Sequence, residues 1–140
     1  MIVLVIDGQG GNIGKQIVKS VALACPEVEL LAVGTNSIAT ENMIKAGAQS
    51  AATGENAVIV ASRRADVIIG PIGIVIADAL MGEVTPSMSA AVGQSAAEKI
   101  LIPITKCHTE IAGIGPEKTS DLIDDAVKKL KRIEASFKEL

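Results

Sequence analysis

Short apolar runs alternate along the chain with segments whose apolar residues recur every three or four positions. Continuous apolar runs are typical of buried parallel strands, whereas the three-and-four spacing indicates helices. The runs predict strands at residues 2–6, 29–33, 49–53, 66–69 and 99–104, with a further short strand at 109–114. This alternation predicts an α/β fold with a doubly wound parallel sheet of five or six strands. The strand order 3-2-1-4-5 is favoured over the flavodoxin-like alternative.

The intervening segments predict the helices that cover this sheet. Helical spacing continues from Ile13 until Cys25-Pro26, and a second helix occupies residues 37–46. We expect a third helix from Glu55, although residues 57–61 fit a strand equally well, and an apolar helix over "IGIVIADALMG", residues 72–82. Thr85-Pro86 opens the next helix, because threonine can cap it and proline suits its first turn.

A long helix from Glu117 ends the chain, and its apolar residues follow a heptad spacing. These residues are Ile123, Ala126, Leu130, Ile133, Phe137 and Leu140. The favoured interpretation is a helix that covers one face of the sheet, because fewer than three heptads is weak evidence for a coiled coil. The alternative is that these residues form the contact between two subunits. Independently of which interpretation holds, we expect a homodimer.

Composition narrows the class of partner. A chain of 140 residues predicts a single domain, residues 1–140, with one core. The net charge of −3 and the absence of Trp and Tyr disfavour nucleic acid as a partner. No apolar run approaches the roughly twenty residues of a membrane helix, and no basic leader precedes the first run, so we expect a cytoplasmic protein without membrane contact.

The glycine-rich stretch "GQGGNIG", residues 8–14, directly follows the first predicted strand. Glycine permits close backbone approach, and free N–H groups at a helix start attract phosphate. In doubly wound sheets ligands lie at the carboxyl ends of the strands, where the winding reverses. The predicted ligand-binding residues there are Gly8, Gln9, Gly10, Gly11, Asn12, Ile13, Gly14, Thr35, Asn36, Gly70, Pro71 and Gly73. The alternative is that the glycines only shape a turn between strand and helix.

The same stretch resembles the "GAGGFIG" loop of the extended short-chain dehydrogenases, over the first strand–helix–strand unit only. The resemblance implies that N–H groups near Gly10 to Ile13 face a pyrophosphate, and that the cofactor is NAD(P) or another nucleotide. The Tyr-x-x-x-Lys motif of that family cannot occur in a chain without tyrosine, which excludes this type of dehydrogenase. An acidic residue for the ribose is expected after the second strand, but the sequence there is Gly34-Thr35-Asn36-Ser37.

Few side chains are candidates for acid–base chemistry. Asp7 at the tip of the first strand would repel a phosphate unless it accepts loop N–H bonds, the favoured interpretation, or holds Mg²⁺ as a metal ligand. Glu55, Cys107 and His108 are the candidate catalytic residues, but neighbouring Cys and His on an extended chain point to opposite faces. Asp78 and Glu83 are predicted to face solvent.

Nearly the whole chain before the final helix is similar to a family of short uncharacterised bacterial proteins, a domain of unknown function with a Rossmann-like fold. The stretches that carry the resemblance are "VIDGQGGNIGK", "GTNSIAT", "ATGENAV", "DVIIGPIGIVIADALMGEVTP" and "ILIP". The resemblance implies the fold and no reaction. Because the glycine loop predicts a rich backbone anion site and acid–base side chains are few, the leading hypothesis is a nucleotide- or dinucleotide-binding protein that acts as a sensor or accessory subunit. The alternatives are a small enzyme acting on a phosphorylated or nucleotide-linked substrate, and an interaction module without a ligand.

Overall fold

Five parallel strands form one sheet in the order β3-β2-β1-β4-β5, which confirms the predicted topology. The structure, a computed structural model, describes residues 1–104 and 108–139. The strands are β1 Ile2–Asp7, β2 Glu29–Gly34, β3 Ser50–Thr53, β4 Val67–Pro71 and β5 Glu98–Ile102. The helices are α1 Asn12–Ala24, α2 Ser37–Ala46, α3 Glu55–Arg64, α4 Pro86–Gln94 and α5 Thr119–Lys138.

Helices cover both faces of this sheet, as a doubly wound fold requires. Alternate residues of β1 point to opposite sides: Val3 and Val5 belong to one core, and Leu4 and Ile6 to the other. The first core also contains residues of α1, α2 and α5, and the second contains residues of α3 and α4. The central strands are buried on both sides, which is why they read as continuous apolar runs in the sequence.

The predicted apolar helix over residues 72–82 is wrong. Only a 3₁₀ turn forms there, Ile72–Val75, and it is followed by residues 76–84, which we call the strap. The buried side chains Ile74, Ala79 and Val84 are spaced five residues apart, which matches neither the helical nor the strand period. Asp78, Leu80 and Met81 have positive φ angles of 65°, 55° and 56°, which end any helical path.

The predicted strand at residues 109–114 is also absent from the described part of the chain, where this stretch is irregular. The described sheet therefore has five strands, not six. The third strand and the helix from Glu55 both form as predicted.

The terminal helix α5 packs on its own sheet. Ile123, Ala126 and Leu130 are buried in the core that also contains Val18 and Val21 of α1, which confirms the favoured interpretation for this half of the heptad spacing. Ile133 is partly buried, Phe137 is exposed, and Leu140 lies outside the described residues. The homodimer stays a prediction. Within residues 1–104 and 108–139, no helix combines the length and the apolar character needed to cross a bilayer.

We predict that Leu130→Ala lowers the free energy of unfolding by about 2–5 kcal/mol, because it leaves a cavity where a fully buried side chain packs against the sheet. The matched control is Leu23→Ala on α1, where leucine is 77% exposed, and it should change stability by no more than about 0.5 kcal/mol. Urea denaturation measures both variants. Equal stability of the two variants would show that α5 does not contribute to the core.

Candidate functional site

A buried carboxylate organises the glycine loop, residues 8–14. Asp7, at the end of β1, is only 5% exposed. Its Oδ1 accepts a hydrogen bond from the Gly8 N–H at 2.8 Å, and its Oδ2 accepts one from the Gly14 N–H at 2.7 Å. Asp7 therefore connects the first and last residues of the loop, in agreement with the favoured interpretation of this residue.

Two glycines are required by the resulting geometry. Gly11, the residue before α1, adopts a left-handed conformation with φ of 71°. Gly14 lies in the first turn of α1, and a Cβ atom there would come within 2.7 Å of both Asp7 Cβ and Met43 Sδ. The chain thus needs glycine at both positions to bring α1 down onto β1 and α2.

Three N–H groups of the loop make no hydrogen bond within the described part of the chain. The Gly8, Gln9, Gly11 and Gly14 N–H groups all have acceptors in the protein. The N–H groups of Gly10, Asn12 and Ile13 do not; at this entrance to α1, Gly10 and Asn12 are exposed and Ile13 is half-buried. Unpaired N–H groups at a helix N-terminus favour an anion.

Asparagine side chains from α2 and its cap hold the outer part of the loop. Asn36 Nδ2 donates to the Gln9 carbonyl at 2.8 Å, and Asn42 Nδ2 donates to the Gly10 carbonyl at 2.7 Å. Asn36 Oδ1 also accepts from the Ala39 N–H and so caps α2. The loop is therefore held from below by Asp7 and from the side by α2.

Glu83 of the strap is the residue that sequence reasoning missed. It was predicted to face solvent, but its Oε1 accepts three hydrogen bonds: from the Gln9 N–H at 2.9 Å, from Thr35 Oγ1 at 2.6 Å and from Asn36 Nδ2 at 2.8 Å. These partners lie 74, 48 and 47 residues away in sequence, so no local pattern could reveal the contact. A carboxylate therefore lies at the end of β2, supplied by the segment that follows β4, and groups of the protein itself donate to it.

The pKa values of the two carboxyl groups are shifted in opposite directions. Burial raises the pKa of Asp7, hydrogen bonds from Gly14 and Gly8 act to lower it, and the charge of Glu83 raises it further. Partial burial also acts to raise the pKa of Glu83, but its hydrogen bonds from Thr35, Gln9 and Asn36 outweigh that effect and hold the pKa below its ordinary value. Glu83 is thus the carboxylate that the folded structure stabilises in its ionised form.

A pocket of about 610 Å³ opens beside the loop, between the carboxyl ends of β1 and β4 where the winding reverses. Its floor is the run from Asp7 to Ile13, and its walls are Pro71, Leu80, Met81 and Ile104. We call it the glycine-loop pocket. A larger cleft, of about 800 Å³, lies between residues 109–117 and α5 at the β5 edge of the sheet; it shares Ile104 with the glycine-loop pocket, but no residue of the loop lines it. The switch-point position and the unpaired N–H groups favour the glycine-loop pocket.

The predicted ligand-binding residues divide into three groups. Gly8 to Ile13 and Pro71 line the glycine-loop pocket, whereas Gly14 is packed beneath it. Thr35 and Asn36 do not line the pocket; their side chains donate hydrogen bonds to Glu83 instead. Gly70 and Gly73 flank the start of the helix predicted over residues 72–82, but Gly70 belongs to β4 and Gly73 to the 3₁₀ turn, so no α-helix begins there.

The candidate catalytic residues do not gather at the loop in the described part of the chain. Glu55, at the start of α3, accepts a hydrogen bond from Thr85 Oγ1 at 2.6 Å. His108 is exposed and does not line the glycine-loop pocket, and Cys107 lies outside the described residues. Among the described residues, no group of three or more His, Cys, Asp or Glu side chains could hold a metal ion, and Asp7 therefore belongs to no such group.

Comparison with known proteins assigns the chain to a family. The family model described as a domain of unknown function, DUF3842, matches residues 2–135. The chain belongs to the DUF3842 family. This confirms the resemblance to a domain of unknown function and leaves the activity open. The search of curated proteins found no match.

Among solved structures, the chain is similar to a dodecameric FMN-dependent UbiX-like decarboxylase from Escherichia coli O157:H7. The identity is 15%, the alignment covers 96% of this chain and 94% of that chain, and the TM-score is 0.48.

We predict that Gly14→Ala destabilises the protein by about 1–3 kcal/mol, because the added methyl group would displace Asp7 and Met43. Gly10→Ala is the matched control: nothing lies within 4 Å of a Cβ atom at that position, so stability should change by less than about 0.5 kcal/mol. Thermal and urea denaturation compare the two variants. A Gly14→Ala protein as stable as Gly10→Ala would contradict the described packing of α1 on β1.

A second prediction concerns the pH dependence of stability. Glu83→Gln keeps an acceptor oxygen but removes the charge from three hydrogen bonds, so we expect a loss of about 1 kcal/mol at pH 7. Since the folded pKa of Glu83 lies below the unfolded value of about 4.3, the advantage of the wild type is complete above that pH. It should disappear as the pH falls through the lower folded pKa.

Urea titrations of both proteins between pH 7 and pH 3 measure this difference. The control is Glu41→Gln, because Glu41 forms an exposed ion pair with Lys45 at 3.3 Å. This substitution should change the free energy of unfolding by less than about 0.5 kcal/mol. A wild-type advantage that stays constant over the whole pH range would contradict the assigned role of Glu83.

Proposed function

We propose that the protein binds a nucleotide or a related phosphate-bearing small molecule in the glycine-loop pocket, and that it acts as a sensor or accessory binding subunit. The observation that carries the proposal is the set of three unpaired N–H groups, those of Gly10, Asn12 and Ile13, on the lining of a switch-point pocket. They lie at the N-terminus of α1, a helix of 13 residues, whose dipole adds to their attraction for an anion.

The walls of the pocket complement such a ligand. Pro71, Leu80, Met81 and Ile104 give an apolar surface above the N–H groups, and Met81 is 93% exposed. A site of this volume, with an apolar lining and a few directed polar groups, is typical of small-molecule binding. A base, a sugar or another ring attached to the phosphate would pack against these side chains.

The inventory of side chains favours binding over catalysis. Among the described residues that line the pocket, Asp7 is the one with a titratable side chain, and both of its oxygens already accept N–H bonds. General acid–base catalysis needs a group that can reach the ligand and exchange a proton with it. Asp7 has no free oxygen positioned by the loop for that purpose.

Isothermal titration calorimetry tests the proposal against inorganic phosphate, AMP, ATP, NMN, NAD⁺, NADP⁺, FMN and FAD. At least one of these compounds should bind and raise the melting temperature as its concentration rises above the dissociation constant. A panel without any binding would favour the alternative in which the glycines only shape the turn.

We predict that Asn12→Asp weakens binding of the best compound in this panel by about tenfold or more. Asn12 is the exposed first residue of α1, so a carboxylate there would repel the phosphate while favouring the helix by about 0.3–1 kcal/mol. The matched control is Gln16→Glu, which adds the same charge one helical turn farther from the loop and should weaken binding less. Equal affinities of the two variants would place the phosphate elsewhere.

A further inference from the structure

The strap and the end of β2 leave no free space beside Gly8. A Cβ atom at Gly8 would lie 2.3 Å from Thr35 Oγ1, 2.8 Å from Leu80 Cδ1 and 3.0 Å from Glu83 Oε1. The strap therefore lies directly against the start of the glycine loop on the β2 side. The glycine-loop pocket opens on the opposite side, toward Pro71 and Ile104, and neither Thr35 nor Asn36 contributes to its lining.

The closed region is where half of an extended dinucleotide would lie. In doubly wound dinucleotide sites, the pyrophosphate crosses the loop and the adenosine ribose reaches the end of β2. Here the polar groups at that end, Thr35 and Asn36, both donate to Glu83 Oε1. Glu83 thus occupies, within the protein itself, the place of the ribose-side ligand.

The donors that remain match one phosphate group. A pyrophosphate presents two phosphates along the loop and needs donors along its length. The Gln9 N–H donates to Glu83, and the Gly11 N–H donates to the Gly8 carbonyl at 2.9 Å. Within the described residues, the Gly10, Asn12 and Ile13 N–H groups are left without an acceptor, at the start of α1. The ionised carboxylate of Glu83 would also repel a second phosphate on the β2 side.

We propose, building on the proposed function, that Glu83 and the strap close the adenosine half of the site, so that the pocket takes ligands with one phosphate group and excludes dinucleotides. Glu83 is then the specificity-determining residue of the site. The ligand class is a phosphate monoester, such as a mononucleotide or a phosphorylated sugar, whose organic part lies between Pro71, Met81 and Ile104.

Matched ligand pairs test this on the full chain. NMN and NAD⁺ share one nucleotide half and differ by AMP, as do FMN and FAD. Calorimetry should show that the best-bound compound with one phosphate group (NMN, FMN, AMP or inorganic phosphate) has an affinity about tenfold or more above that of the dinucleotides. In Glu83→Ala, which removes the carboxylate, this ratio should fall by about tenfold. In Glu83→Gln, which keeps the side-chain volume, the ratio should stay closer to that of the wild type.

The outcomes separate the two proposals. A dinucleotide that binds the wild type as tightly as its mononucleotide half would overturn the specificity proposal and leave phosphate binding intact. An unchanged ratio in Glu83→Ala would remove Glu83 as the determinant. The absence of binding by every compound, inorganic phosphate included, would overturn the proposed function and this inference together. The wild-type ratio needs no variant, so the test holds even where Glu83→Ala folds poorly.

Discussion

The shape of the site depends on one buried carboxylate, Asp7, which binds the N–H groups at both ends of the glycine loop. Burying a charge is costly, and the rise in the pKa of Asp7 reflects that cost. The two hydrogen bonds from the loop N–H groups offset part of this cost and bring the two ends of the loop together on the same carboxylate. Because Gly14 then lies against Asp7 and Met43, the first turn of α1 is placed directly above the end of β1. The position of the anion-attracting helix start follows from this single contact.

Within the described residues, some N–H groups of the loop are paired by the protein and others are left open. Two carboxylates, Asp7 from β1 and Glu83 from the strap, take the N–H groups of Gly8, Gly14 and Gln9. A glycine loop whose ligand supplies all the negative charge would leave these donors open. Here the protein pairs part of the loop itself, and the residues whose N–H groups stay open within the described chain, Gly10, Asn12 and Ile13, line the pocket beside Pro71 and Ile104. The loop therefore leaves fewer donors open than its glycine content suggests.

The sequence predicted the fold well where burial follows a regular period. The central strands are buried on both faces, so Val3 to Ile6 and Val67 to Ile69 read as unbroken apolar runs, and the parallel sheet followed from their alternation with helices. The cap of α4 was likewise visible, because Thr85 acts within three residues of its partner. Local chemistry determined these elements, and local chemistry can be read from a sequence.

The strap could not be read in this way, because its conformation is determined by contacts that are distant in sequence. Asp78, Leu80 and Met81 adopt left-handed angles that cost roughly 1–2 kcal/mol each. Two interactions offset that cost: the burial of Ala79 and Val84, and the three hydrogen bonds of Glu83 across the end of β2. Local preference would favour a helix here, and it is overridden at the segment that walls the pocket. Departures from local preference are expected at functional sites, where the surrounding structure maintains the strain. The failed helix prediction and the missed Glu83 therefore have one cause, and both lie at the site that the glycine loop forms.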